Sequence, residues 1–329
     1  MEVYILGGRQ KTRLFWPVEA ERRFDLAVIL RLNTDAETSE RVIEYQTPWA
    51  AKAHPESSNL FTAGSLYAGR LYVCTYTELL VFELPHFRQV AYISLPCFNS
   101  LHHVCPTPRG TLLVANTGLD MVLEITLEGK VLREWNVLGG SPWDRFSRSV
   151  DYRKVSSTKP HLSHPNFVFQ ILNDVWTTRF CQRDAICITR PSLQIRLDVE
   201  RPHDGLLRDG LLYFTTVDSH LVIVDAGSLK TVSIFDLKKF SGYPFAGPAW
   251  CRGILVINQS VICVGFTRIR KTILLQAGNW IKHRFREVDA PTHFAIFNLA
   301  KRQCLKVINL EPHGINILFG ILDSEVTMR

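Results

Sequence analysis

The sequence predicts an all-β fold, a six-bladed β-propeller built as a ring of four-stranded blades, and three observations predict it. Residues 205–235 read as four consecutive short strands arranged around an Asp209-Gly210 turn. Asp-Gly between apolar runs is a strong hairpin signal, because glycine supplies the positive φ that the tight turn requires. The unit also recurs. Gly69, Gly110, Asp174, Gly210 and Ser260 each precede an apolar-rich strand ending near Thr or Asn, at separations of 41, 64, 36 and 50 residues. One four-strand meander cannot bury both of its faces alone, so a period of ~40–50 residues implies copies stacked side by side. Finally, three candidate strands open the chain and a lone apolar strand follows His313. Pairing them completes a sixth blade and removes the open edges that invite aggregation.

The elements follow in order. Val3 to Leu6, Leu26 to Leu32 and Arg41 to Tyr45 are three strands of the split blade, and 48–59 reads as a connector. The first full copy starts at Phe61 and carries Leu71 to Thr75, Glu78 to Glu83 and Gln89 to Ser94. Leu101 to Val104, Thr111 to Asn116, Met121 to Thr126 and Lys130 to Asn136 form the second. Residues 138–161 break the rhythm with an insertion that is polar yet carries Trp143, Tyr152, Arg145, Arg148 and Arg153. So long a segment is either a functional loop or a linker, and the loop reading is preferred. The third copy runs from His164 to Asp198, the fourth is 205–235, and the fifth spans Trp250 to Asn309 with a second insertion at about 268–291. The whole chain, 1–329, is thus expected to be a single propeller domain.

Composition narrows the partners. A net charge of +7 in 329 residues leaves two readings, an anionic ligand or scattered solvated arginine. No basic run tracks a phosphate backbone, so nucleic acid is not expected. The N-terminus lacks a signal-peptide pattern and no window approaches the ~18 apolar residues of a membrane span, so a cytoplasmic protein without membrane contact is expected. Eight cysteines without a Cys-x-x-Cys pair read as buried thiols of a reducing compartment. Walker-type, dinucleotide and Gly-x-Ser-x-Gly motifs are absent.

The candidate chemistry lies where the blades would meet. In a propeller the residue just before each innermost strand points toward one mouth of the axis. Histidine fills four of the six such slots, as His103, His164, His203 and His313, among 11 histidines in the chain. Neutral imidazoles converging on an axis are ligands for a divalent transition metal, zinc first, with iron, copper or manganese as alternatives. Read singly, each of these histidines caps a turn. His54, His86, His161, His220, His283 and His293 take the ordinary surface or turn reading. Arginines in both insertions, among them Arg268 and Arg270, are placed to reach the same mouth, where guanidinium forks suit a carboxylate or phosphate.

The Pro202-His203-Asp204-Gly205 and Pro312-His313-Gly314-Ile315 starts, the Gly-x-Leu-x-Val strands and the split blade resemble NHL-type propellers over nearly the whole chain. Within that group, His164-Pro-Asn166, Arg179, Asp204, Arg252-Gly253, Arg268 and Arg270 are similar to a bacterial family of conserved proteins of unassigned function. That resemblance implies that Arg179, Asp204, Arg252, Arg268 and Arg270 belong with the histidines as candidate catalytic residues. More distantly the pattern resembles the peptide-amidating lyase and virginiamycin B lyase propellers, which implies axial histidines around a metal. The expected function is a metal-dependent lyase or hydrolase acting on an anionic small molecule or modified peptide at the channel mouth. The alternative is a non-catalytic module that binds a ligand or a protein partner.

Overall fold

The computed structural model describes residues 1–11, 23–247, 249–269 and 290–324. Strands β1 (Glu2–Gln10), β2 (Phe24–Asn33) and β3 (Thr38–Tyr45) open the chain. Blade one follows as β4 (Gly64–Tyr67), β5 (Arg70–Cys74), β6 (Leu79–Glu83) and β7 (Arg88–Ile93). Blade two is β8 (Leu101–Pro106), β9 (Leu112–Asn116), β10 (Met121–Ile125) and β11 (Val131–Asn136). Blade three is β12 (Pro165–Ile171), β13 (Asp174–Arg179), β14 (Asp184–Cys187) and β15 (Gln194–Arg196). Blade four is β16 (Leu206–Arg208), β17 (Leu211–Thr215), β18 (His220–Asp225) and β19 (Thr231–Asp236). Blade five is β20 (Ala249–Val256), β21 (Val261–Arg268), β22 (His293–Asn298) and β23 (Gln303–Asn309). The last strand, β24 (Ile317–Asp323), pairs with β1 to give the order β24-β1-β2-β3, so the sixth blade is split between the chain ends as the repeat predicts. Every blade is an antiparallel four-stranded sheet, and no helix among the described residues is long and apolar enough to cross a membrane.

Alternation along each strand sends apolar side chains to both faces, and the ring gives each face a neighbour to cover it. Among the described residues, six of the seven apolar clusters lie one at each junction. Tyr72, Leu79 and Val81 of blade one meet Val104, Leu112 and Leu123 of blade two. Phe169 and Trp176 meet Phe214 and Val222 between blades three and four, and Ile223 meets Ile254 and Ile262 between four and five. Across the split blade, Leu255 and Phe294 pack on Val28 and Leu30 on one side while Phe61 and Leu80 pack on Leu6 and Ile29 on the other. The sixth joins Leu113 and Val122 to Val168 and Val175. Burying one such side chain is worth ~1.5–3 kcal/mol, so each junction contributes several of these increments. Innermost strands β4, β8, β12, β16, β20 and β24 lie beside one another around the axis. All eight cysteines are free thiols, five of them buried.

Closure demands a close approach at Gly7, whose Cβ position lies 1.9 Å from the Ile317 carbonyl oxygen of β24. A side chain there must push the closing strand away. Gly7→Ala is therefore expected to lower the unfolding free energy in urea by about 2 kcal/mol or more. Gly227→Ala, where the nearest atom stands at an ordinary 3.5 Å, is expected to leave it within about 0.5 kcal/mol. Equal values for the two variants would show that closure does not depend on this contact.

Buried histidines tie the fold to pH. His293 is fully enclosed, its Nδ1 donating to the Pro291 carbonyl at 2.7 Å and its Nε2 accepting from the Tyr243 hydroxyl at 2.9 Å. Burial holds its pKa down at about 4, and that of the equally buried His103 at about 3. Below the ordinary value near 6.5 the unfolded chain takes up protons that the native imidazoles refuse, so native stability is present above that pH and falls as the pH drops. From pH 6.5 toward 4 each of these histidines is expected to remove about 1.4 kcal/mol per pH unit. Urea unfolding at pH 7 and 5 checks this, and His293→Phe is expected to flatten the slope by about one histidine's share.

Candidate functional site

One mouth of the axis opens into a cavity of about 820 Å³. Phe319 of β24 lies at its floor, with the rings of His102 and His203 at 5.9 and 5.8 Å and the Arg252 guanidinium at 4.5 Å. Trp250, on the same strand as Arg252, has its ring 4.4 Å from that guanidinium. His164, His161, Asn166, Phe180 and Phe24 share the wall with the cations Arg23, Lys159 and Arg268, and no carboxylate side chain lines it among the described residues.

The histidines are held in defined tautomers. His102 donates Nδ1–H to the Ser100 carbonyl at 2.8 Å. His203 donates Nδ1–H to the Asp204 carboxylate at 3.1 Å, and Asp204 also accepts from the Thr215 hydroxyl and the Gly253 amide. The Thr158 hydroxyl donates to the Gly118 carbonyl, so the 3.3 Å contact between that hydroxyl and His161 places the proton on His161 Nε2. His161 Nδ1 is then an acceptor, and His164 donates its Nδ1–H to it at 2.6 Å. Each of His102, His164 and His203 is left with a bare Nε2 lone pair. Ring centroids of His102 and His164 lie 5.0 Å apart, and those of His102 and His203 lie 6.3 Å apart.

Desolvation dominates the electrostatics. Burial, joined by the neighbouring imidazoles and then by Arg252, pushes the His102 and His164 pKa values well below the ordinary imidazole range. His203 is lowered by the same cause, with Asp204 opposing it, so all three rings are neutral bases near pH 7. Burial also brings Arg252 down to about 10, still cationic at neutral pH. Four buried polar atoms of residues that line this cavity have no hydrogen-bond partner among the described residues: Asn166 Oδ1, His203 Nε2, Arg252 Nε and Arg268 Nε. Orphaned groups of this kind are rare in folded proteins, and here they share one pocket.

His164 stands in a left-handed backbone conformation, φ +61°. Asp120 holds that turn, accepting the amides of Leu162, Ser163 and His164 at 2.8, 3.0 and 2.7 Å and a fork nitrogen of Arg145 at 2.7 Å.

Of the residues singled out in the sequence, the structure brings His164, His203, Arg252 and Arg268 to this pocket, with Asp204 directly behind His203. Arg268 is paired with Glu311 at 3.0 Å. The expected convergence of four histidines is corrected at two of them. His103 lines a second cavity instead, stacked on Phe167 at 3.6 Å, because β8 carries a bulge between Leu101 and His103 and its neighbour His102 takes the pocket side. His313 sits at the rim with Nδ1 on the Ser39 hydroxyl of β3 at 2.8 Å, because the Pro312-His313-Gly314 turn comes before the chain has crossed from outer strand β23 to inner strand β24. Arg179 is also apart from the pocket. Its fork is spent on Asp184 at 2.8 and 2.6 Å and on the Val137 carbonyl at 3.1 Å, which ties blade three to the end of blade two. Arg270 and most of the second insertion lie outside the described residues. In the first insertion Arg145, Arg148 and Arg153 pair with Asp120, Glu134 and Asp151, so that loop gives the pocket His161 and Lys159 rather than an arginine.

Sequence reasoning passed over His102 and His161. The Leu101-His102-His103 doublet carried the first signal, but one residue of register decides which imidazole faces the pocket. Among the described residues, no group of three or more His, Cys, Asp or Glu side chains has its donor atoms gathered for a metal ion.

No family model matches the sequence, and no curated protein does either. Solved structures do share the fold. A protein of unknown function from Bacteroides caccae aligns over 98% of both chains at 12% identity with a TM-score of 0.62. A chain of a nidogen–laminin complex aligns over 98% of this chain and 97% of its own at 8% identity and a TM-score of 0.56. A catalytically inactive virginiamycin B lyase from Staphylococcus aureus, solved with quinupristin, covers 73% of this chain and 74% of its own at 12% identity and a TM-score of 0.47. At these identities the likeness is one of fold.

The Asp120 turn can be tested directly. Asp120→Ala leaves three backbone amides without their acceptor and is expected to cost about 2–4 kcal/mol in urea unfolding. Its NMR spectrum is expected to show displaced His161 and His164 imidazole resonances with His293 unmoved. Unmoved His161 and His164 signals would show that the turn keeps its shape without the carboxylate.

Proposed function

We propose that the protein binds a small anionic molecule or modified peptide in the axial pocket and acts on it as a metal-dependent lyase or hydrolase. The observation that carries this reading is the set of three neutral imidazoles, each with Nδ1 tied back and Nε2 bare, beside a buried arginine that has no ion-pair contact with a carboxylate among the described residues. A bare Nε2 whose ring is fixed through Nδ1 by a carbonyl or carboxylate is the arrangement that metal-bound histidines use. The orphaned Nε2 of His203 fits such a group, and the donor set suits zinc.

Two imidazoles sharing a tetrahedral ion at ~2.0–2.1 Å hold their centroids roughly 5 Å apart. His102 and His164 have that spacing, and His203 would have to turn toward them. His102, His164 and His203 would therefore hold the ion, and when bound it supplies Lewis-acid polarisation of a ligand oxygen. The chain's own groups do the rest. Arg252 takes the anion, Asp204 keeps the proton on Nδ1 of His203, and Phe319 and Trp250 keep water from the guanidinium.

A second reading, a binding module without chemistry, is favoured by the 6.3 Å gap between His102 and His203. Untagged protein separates the two. Elemental analysis is expected to find about one transition-metal ion per chain. His102→Ala with His203→Ala should empty the site, and Asp204→Asn should weaken zinc binding about 10–100-fold in calorimetric titration. His103→Ala and His313→Ala should leave it unchanged. Metal-free protein whose zinc affinity ignores His102 and His203 would sink the enzyme reading and leave the module.

A further inference from the structure

The orphaned groups also specify what the ligand must carry. Of the four, only His203 Nε2 is a metal donor, and Arg268 already has Glu311, which leaves Arg252 and Asn166 for the ligand. Arg252 is 8% exposed, lies over the Trp250 and Phe319 rings at 4.4 and 4.5 Å, and its Nε has no acceptor among the described residues. A guanidinium desolvated in this way asks for an anion, and a planar carboxylate matches its fork. Asn166 is 1% exposed, and its Nδ2 donates to the Pro202 carbonyl at 3.4 Å. That partner fixes the orientation of the amide, because a carbonyl facing Oδ1 would be repelled, and it leaves Oδ1 as a pure acceptor within the pocket. An acceptor at this depth requires an N–H or O–H from the occupant.

We infer that the pocket recognises a carboxylic acid bearing a secondary amide, an N-acyl amino acid or the C-terminal residue of a short peptide, with its carboxylate on Arg252 and its amide N–H on Asn166 Oδ1. The amide is preferred to a hydroxyl because part of the wall, Phe24, Phe180, Ile317 and Phe319, is apolar and calls for an acyl or side-chain group on the far side of the donor. A cavity of about 820 Å³ leaves room for that group. Pro202 links this amide to the imidazole wall, since Asn166 grips the carbonyl of the residue just before His203. The inference rests on the axial pocket being the ligand site, and it stands whether or not a metal is bound.

The test uses hippurate (N-benzoylglycine), its methyl ester, its N-methyl derivative and 4-phenylbutyrate, titrated calorimetrically into the full chain as purified. Hippurate is expected to bind at least tenfold more tightly than the ester, which lacks the charge, and at least tenfold more tightly than the N-methyl compound and 4-phenylbutyrate, which lack the N–H. Arg252→Gln is expected to abolish the discrimination against the ester while keeping that against N-methylation. Asn166→Leu should do the reverse. The comparisons of compounds against the unaltered protein need no variant, so a misfolded variant does not blunt them. Equal binding of hippurate and its N-methyl derivative, or no saturable binding of hippurate at millimolar concentration, overturns the inference. Zinc binding measured on the same preparation tells that failure from a failure of the metal reading, because loss of one need not accompany loss of the other.

Discussion

The pairing of β24 with β1 is the constraint on which the rest of the molecule depends. It joins residues at opposite ends of the chain, Val3 with Asp323 and Gly8 with Ile317, and Asn316 adds bonds to both the Gly8 carbonyl and the Gln10 amide. Until that pairing forms, the outer faces of blades one and five have no neighbour, and the apolar clusters on either side of the split blade stay open to water. The same strand carries Ile317 and Phe319 into the axial pocket. Closing the ring and laying the floor of the site are therefore one event. Because the pairing is so distant in sequence, its loop-closure cost falls late and is met only by the burial it permits.

The pocket's character comes from where its two nearest carboxylates point. Asp204 and Asp120 are both buried beside it, yet neither lines it. Asp204 spends its oxygens on His203, Thr215 and Gly253, and Asp120 on three successive amides and Arg145. They orient the imidazoles from behind and leave the cavity without an anion of its own among the described residues. Burial then decides protonation. Desolvation outweighs the attraction of Asp204 for His203, so the rings are neutral, and Arg252 is the buried cation beside them.

The architecture was legible in the sequence because it rests on signals of short range. Asp209-Gly210 marks its hairpin without reference to anything else, and β17, β18 and β19 fall within a residue or two of where alternation puts them. Closure was legible too, since three strands at one end and one at the other have a single economical pairing. The site was legible only in part, because it depends on facing rather than on periodicity. His203, three residues before β16, was placed correctly. His103 was not, because a bulge interrupts the pairing of β8 with β9 between Leu101 and His103, and side-chain direction cannot be counted through a bulge. His313 failed for a related reason, the turn that holds it being longer than its equivalent before β16. Arg179 resembled a site residue by type, but its partner Asp184 stands directly opposite on β14, and only the register reveals that the charge is already spent.

What the fold tolerates at its axis is informative about why the axis is built so. Each buried polar atom without a partner costs about 1–3 kcal/mol, and apolar replacements at Asn166 or Arg252 would relieve that cost. His102, Asn166, Arg252 and Phe319 all stand on innermost strands, and the left-handed turn at His164 is fixed by Asp120, which accepts the His164 amide together with those of Leu162 and Ser163. Groups immobilised in this way cannot collapse to satisfy one another. Their hydrogen-bonding capacity is thereby kept available for an occupant, which is what preorganisation of a binding site requires.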